Sequence, residues 1–347
     1  MFDLISHLTE KGIQHTVSDN GHITVGGYLD LRGTPIPALP DGLTVGGWLD
    51  LSDTGITTLP DNLSVGGWLD LRGTPIPALP DGLTVGGWLN LSDTGITTLP
   101  DNLSVGGELD LSGTRITALP DNLSVGDSLD LRGTPIPALP DGLTVGGWLN
   151  LSDTGITTLP DNLSVGGELD LSGTRITALP DNLSVGDSLD LSGTRITALP
   201  DNLSVCGSLD LSDTSITALP EGLTVGGDLY LGGTGITVLP DNLSVGGWLD
   251  LRDTPITTLP EKFTCRSLYL DPERISNIAY RKGCGRSGRT VFAAWTGKEI
   301  RIAAGCFFDT LDAFERAVDV KYTGKAADDY RQAARECVAE LTEKLGK

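Results

Sequence analysis

Along most of the chain, leucines alternate one-for-one with polar or aromatic residues: Leu69 and Leu71 are separated and flanked by Trp68, Asp70 and Arg72. A period of two predicts a strand with a single buried face. Ile76, Leu79, Leu83 and Val85 supply further apolar positions before the pattern restarts. The restart is regular. Leu-Pro occurs at Leu39-Pro40, Leu59-Pro60 and onward to Leu259-Pro260, twelve times at a spacing of 20 residues, and a fixed period of this length signals stacked coils. No single unit can bury its own apolar face, so each coil must stack on the next. At about 4.8 Å between stacked strands, the array is expected to form a rod on the order of 55–60 Å long.

The other recurring positions read as structural. Pro in Leu-Pro fixes φ and removes an N–H, which suits an extended segment on the solvent side. Asp61-Asn62 and Asp81-Gly82 mark turns. Gly66-Gly67 and its equivalents are expected to bend the chain before the strand, at φ values other residues resist. Thr74 and its counterparts, from Thr34 to Thr254, are expected to bond the backbone of adjacent coils as a ladder.

The LPDNL and LDLSxTxI segments resemble the bacterial leucine-rich repeat, in the short LPxxL form of secreted effectors of the YopM and IpaH kind; similar arrays occur in proteins encoded by phages and prophages. The resemblance covers residues 25–275 and implies an α/β leucine-rich-repeat solenoid with a parallel β-sheet. Two departures stand out. Thr takes the place of the family's Asn or Cys ladder residue, and Val-Gly-Gly replaces the usual leucine spacing ahead of the strand. Both point to a straighter, more β-helix-like array than a horseshoe. Phe263–Ile275 is one residue shorter, matches the family's spacing better and reads as the last coil. The expected organisation is a capping segment over 1–24, the solenoid over 25–275 and a small C-terminal ββαα module over 276–347.

Charge narrows the function classes. The formal net charge is -22; residues 1–261 carry 8 basic and 34 acidic side chains, and residues 262–347 carry 16 and 12. Repeats this acidic are not expected to bind nucleic acid directly, because counterion release from a phosphate backbone needs positive charge. The longest apolar run, near Ile302–Phe308, is far short of the ~20 residues of a membrane helix. The opening MFDLISHLTEK lacks the apolar segment of a secretory signal. Five scattered cysteines without a CxxC pair point to a reducing compartment. A cytoplasmic protein is therefore expected. Residues 71–130 recur unchanged at 131–190. A catalytic constellation would rarely survive displacement by three coils, about 14 Å, whereas a binding surface or spacer tolerates it.

Both ends depart from the repeat. Phe2, Leu4, Ile5 and Leu8 have helix-like spacing and predict a short amphipathic helix, followed by a polar strand that caps the first coil. His7, His15 and His22 lie in or beside this stretch without nearby ligand partners, so no metal site is expected. At the other end, Thr290–Trp295 and Ile300–Gly305 flank Thr296–Glu299 as a hairpin. Asp309 or Thr310 can cap a helix carrying Leu311, Phe314 and Val318, and Lys325–Leu345 reads as a longer helix with Cys337 on its apolar face. Cys306, beside Phe307 and Phe308, is expected to be buried.

The segment from Arg281 to Arg289 is the one stretch resembling a reactive site. Cys284 amid cations is expected to have a lowered pKa, with glycine amides able to cradle an anion. It is similar to the C-x5-R phosphatase loop, but Thr290 stands at the arginine position and no histidine precedes the cysteine. The favoured reading is a basic, flexible connector; the alternative is a loop that contacts phosphate or nucleic acid, with Arg281, Lys282, Arg286 and Arg289 as its anion contact. No catalytic residues and no cofactor are assigned, and the chain is read as a non-enzyme. What selectivity the array has lies in its strand positions. Tyr28, Trp48, Trp68 and Trp88 stand ahead of the first strand leucine, and Asp30, Asp50 and Asp70 stand between the leucines. Exposed aromatics at strand spacing mark interaction surfaces, the competing reading being mutual stacking between coils. The leading expectation is a recognition scaffold for a basic protein partner, of a phage- or effector-type modulator kind. The alternative is an acidic nucleic-acid mimic that blocks a DNA- or RNA-binding host protein.

Overall fold

The computed structural model describes residues 3–285 and 288–346. The chain divides into two compact units, Met1–Ile176 with Pro180–Gly186, and Thr177–Leu179 with Asp187–Lys347.

The first unit begins with the expected cap. Helix α1 spans Leu4–Glu10, and the Asp3 carboxylate at its N-cap accepts from the Ile5 and Ser6 N–H groups. Leu4 and Leu8 are buried while Ile5 is exposed; Phe2 lies outside the described residues. His15–Val17 pairs antiparallel with Ile23–Val25 and so covers that strand's open edge. From there each coil contributes two short parallel strands, one more than the sequence predicts. One ladder stacks Thr44–Val45 on Ser64–Val65 and their equivalents. The other stacks Leu49–Asp50, Leu69–Asp70 and Leu89–Asn90, each residue facing its counterpart 20 positions on. A one-residue slip would turn the leucines outward, so the buried face locks the register. Leu69, Leu71, Ile76, Leu83 and Val85 are at most 5% exposed.

Two local readings need correction. Gly66 and Gly67 do not adopt positive φ. They are small because the coils touch there: a Cβ on Gly66 would sit 2.3 Å from the Gly46 carbonyl oxygen, and one on Gly67 2.9 Å from that of Gly47. The left-handed conformation belongs instead to the turns, at Asp53 (φ 56°), Asn62 (62°), Gly73 (68°) and Gly82 (79°), where Asp, Asn and Gly tolerate it best. The threonines do not bridge coils either. Thr74 Oγ1 donates to the Leu71 carbonyl of its own coil at 2.7 Å. The inter-coil backbone groups already satisfy one another, as in Leu71 N–H to Asn90 O at 2.9 Å, leaving the hydroxyl to close its own turn.

In the second unit the leucine ladder runs through Leu189–Asp190, Leu209–Asp210, Leu229–Tyr230, Trp248–Asp250 and Ser267–Tyr269. At the last step Leu249 faces Leu268, so the register absorbs the missing residue. The C-terminal module that follows is a four-stranded antiparallel sheet in chain order, made by Ile278–Cys284, Arg289–Trp295, Ile300–Ala304 and Phe307–Asp309. Helices α2 (Leu311–Lys321) and α3 (Lys325–Lys344) pack with it. The expected ββαα module therefore gains two strands. The first of them was read as a flexible connector because its centre is Arg-Lys-Gly, yet Ile278, Ala279 and Cys284 are buried. Thr310 caps α2, its Oγ1 accepting from Ala313 N–H. Val291, Ala293, Ile302, Phe314, Ala334, Cys337 and Leu341 form the core. Ser267 Oγ donates to Cys306 O at 2.7 Å, and the Phe263 and Phe308 rings stack at 6.2 Å, docking the module on the last coil.

Candidate functional site

The aromatic row forms where the leucine ladder brings one residue per coil to the same column. Tyr28 and Trp48 stack with ring centroids 4.7 Å apart and 12° between planes, and Trp48 stacks on Trp68 at 4.8 Å and 14°. Trp68 and Trp88 are tilted by 37° at 6.0 Å. The first two separations match the strand spacing itself, so the coil repeat sets the stack from Tyr28 to Trp68. Both faces of Trp48 are therefore occupied by neighbouring rings. What remains accessible is the ring edges of the half-buried tryptophans and one face of Tyr28, which is 60% exposed. Trp88 Nε1 is buried without a hydrogen-bond partner among the described residues.

The aspartates of the same strands point into their own turns. Asp50 and Asp70 are each only 5% exposed. Asp50 Oδ1 accepts from Ser52 N–H at 2.9 Å and Ser52 Oγ at 2.6 Å, and Asp70 Oδ1 accepts from Arg72 N–H at 3.0 Å. Asp30, in the first coil, stays exposed and holds the Arg32 guanidinium at 3.0 Å. Burial raises the pKa of Asp70 and outweighs both its hydrogen bond from Arg72 and the Arg72 charge. Asp130, just ahead of the duplicate block, is raised for the same reason, as is Glu108, whose acidic neighbours add to the shift. The row is thus less a free acidic ladder than a series of Asx turns, each satisfying a backbone N–H.

These leucine strands, stacked in parallel every 20 residues with their apolar side chains turned into the coil, decide the architecture. The array is a leucine-rich-repeat solenoid. No protein-family model matches the chain, and no curated protein matches it. Among solved structures it is similar to YopM from Yersinia enterocolitica WA-314, at 21% identity over 70% of this chain and 65% of that one, with a TM-score of 0.44. It is also similar to YopM, a leucine-rich effector protein from Yersinia pestis, at 15% identity over 72% and 81% with a TM-score of 0.46. A chain of the Toll–Spatzle complex of Drosophila matches at 16% identity over 76% and 50%, with a TM-score of 0.41.

In the module, the basic segment is engaged rather than open. Arg281 pairs with Glu336 at 3.1 Å and Glu340 at 2.8 Å, both on α3, and Lys282 pairs with Glu273 at 3.2 Å. Arg289 is exposed at the start of the second strand, and Arg286 lies outside the described residues. Burial pushes the Cys284 thiol up rather than down, so the expectation of an activated thiolate is overturned. Cys337 is fully buried and pushed up to about 12 by its desolvation. Cys306, expected inside, is exposed. Sequence reasoning also missed Tyr269. The shortened last coil carries it to the Asp250 register, 5.5 Å from the Trp248 ring and with the Arg252 guanidinium 5.3 Å over its own.

Proposed function

We propose that the solenoid is a non-enzymatic recognition scaffold that holds a basic protein partner at the aromatic row of its first coils. The supporting observation is the stack of Tyr28, Trp48 and Trp68, with Tyr28 exposed beside Asp30. An Arg or Lys side chain of the partner lies over the open face of Tyr28, a contact worth about 0.5–2 kcal/mol. Asp30 supplies countercharge, Asp50 and Asp70 hold the turns that set the stack, and the edges of Trp48, Trp68 and Trp88 give apolar contact. The test uses a partner captured from the source organism on the immobilised full chain, then titrated calorimetrically at two salt concentrations. Trp48→Ala combined with Trp68→Ala weakens binding roughly tenfold or more, and Asp30→Asn slows association and flattens its salt dependence. A double Trp variant that folds and binds like the parent reduces the row to packing.

A second reading, the acidic nucleic-acid mimic, draws on a different column. Asp41, Asp61, Asp81 and Asp101 are exposed, one per coil, after each Leu-Pro. Competition with DNA for the captured partner separates the two readings: a mimic is displaced by DNA, and a partner held at the aromatic row is not.

A further inference from the structure

A pocket of about 240 Å³ opens in the C-terminal module where the ends of its sheet meet the last turn of α2 and the start of α3. We propose that it binds a small aromatic carboxylate, with Arg289 and Lys321 holding the anion at the mouth and the ring lying against Phe307, Phe314 and Tyr322. Charge complementarity is the first argument. Elsewhere in the module Arg281, Arg301, Arg331 and Arg335 are each paired with a glutamate or aspartate, and Arg316, which has no such partner among the described residues, is exposed and does not line the pocket. Arg289 and Lys321 line the pocket, and neither has a carboxylate partner among the described residues. Gly305 leaves space for the arginine. A Cβ at that position would come 3.3 Å from the Arg289 guanidinium, and its φ of 65° already favours glycine.

The walls are the second argument. Phe307 and Phe314 meet edge-on at 5.3 Å, Tyr322 and Tyr330 lie 4.8 Å apart, and the Lys321 ammonium sits 5.8 Å over the Tyr322 ring. Aromatic walls receive a flat ring in offset or edge-on contact. The volume lies below the roughly 300–1,000 Å³ of pockets that hold drug-sized ligands, so a single ring with one acidic substituent fits and an extended cofactor does not. The dipole of α2 places partial negative charge near its end, and the Lys321 ammonium in that last turn offsets it.

Cys306 lines the pocket and is exposed, while Cys206 is exposed on a distant part of the sequence. The two thiols give an internal comparison. The full chain is alkylated with iodoacetamide, and the rate at each cysteine is followed by mass spectrometry with phenylacetate, phenylacetamide or phenylethylamine at constant ionic strength. Phenylacetate is expected to slow modification of Cys306 several-fold and leave Cys206 unchanged, while the neutral amide and the amine give no protection. Arg289→Gln, a surface change, is expected to raise the phenylacetate concentration for half-protection about tenfold, and Arg289→Lys to restore part of it. Absence of protection overturns the proposal. So does equal protection by all three compounds, or protection unchanged in a variant combining Arg289→Gln with Lys321→Gln.

Discussion

A coil of the array and the C-terminal module solve the same problem, placing carboxylates beside a small apolar core, in opposite ways. In the coil the acid is local. Asp70 serves the turn two residues ahead of it, and burial raises its pKa despite the neighbouring Arg72. In the module acids also answer a cation brought from far along the chain: Glu336 and Glu340 meet Arg281, more than fifty positions away, and the pKa of Glu340 is lowered first by the hydrogen bond from Arg281. Repetition explains the difference. A residue copied into every coil meets mainly its own kind in the coils above and below, so a partner of opposite charge is available where its own or an adjoining coil carries Arg, as at Arg32, Arg72 and Arg132. A module of unrelated segments has no such restriction. Its contacts join distant residues, such as Lys344 Nζ to Ile278 O, and it gains charge pairing while giving up modularity.

The sharpest way to break this comparison is to damage each core once. Phe314 in the module and Leu91 in the array are 3% and 0% exposed. Phe314→Ala is expected to cost about 3–5 kcal/mol and Leu91→Ala about 2–5 kcal/mol. The spatial extent should differ more than the size. Hydrogen exchange followed by mass spectrometry is expected to show loss of protection throughout residues 278–344 for Phe314→Ala. For Leu91→Ala the loss should be confined to the coils adjoining the substitution, because each repeat contacts its neighbours alone. Loss of protection across all coils in Leu91→Ala would show that the array unfolds as one body.

The same contrast governs how much could be read from the amino acids. Period-two leucines and Leu-Pro spacing carried the coil, its register and the shortened last turn, because every copy repeats the evidence. The second strand was hidden by its flanks: Ser64–Val65 is as short as Leu69–Asp70, but it runs into Gly66-Gly67, so no alternation continues past it. Gly66-Gly67 was visible as a requirement for glycine, yet φ and crowding ask for the same residue and only coordinates separate them. The alternation at Trp68, Asp70 and Arg72 placed the aspartate outward, where the turn folds it back under its own backbone. In the module, Ile278–Cys284 was lost because two cations and a glycine interrupt its apolar residues, and the partners of Arg281, Glu336 and Glu340, lie more than fifty positions away. The pocket was illegible for that reason too, since Arg289, Phe307 and Lys321 converge only once the sheet and helices are assembled.

Modularity itself can be tested by removing the duplicate. Deletion of residues 131–190 joins Asp130 to Leu191 and restores the Leu-Asp-Leu strand without a seam. The shortened chain is expected to keep its cooperative thermal transition and its β-type circular dichroism, with a modest fall in midpoint, since stability in such arrays is close to a sum of coil and interface contributions. An unfolded deletion protein would mean that stability is held by contacts the repeats do not share.

The smallest effect expected is in pH dependence, and its sign should reverse between the two regions. Asp70, Asp130 and Glu108 have raised pKa values through burial. A raised carboxylate contributes stability that is complete below its unfolded pKa, about 4, and is lost as pH rises through the higher folded value. Glu336 and Glu340 are lowered by hydrogen bonds and neighbouring cations, so they stabilise above the unfolded pKa and lose that contribution as pH falls through the folded one. Acidification from neutral should therefore favour coils around Asp70 and Asp130 relative to the module. Exchange protection at two pH values, corrected for intrinsic rates, reads this directly. The array also contains its own control: Asn90 and Asn150 stand in the aspartate column, and Asn90 Oδ1 accepts from Ser92 N–H at 2.9 Å, the same turn bond without the charge. Asp70→Asn with Asp130→Asn should keep both turns, leave stability at neutral pH equal or slightly higher, and flatten the pH response of the array alone. A loss of stability at neutral pH would instead assign the dominant role to the ion pairs with Arg72 and Arg132, and the coil would then resemble the module after all.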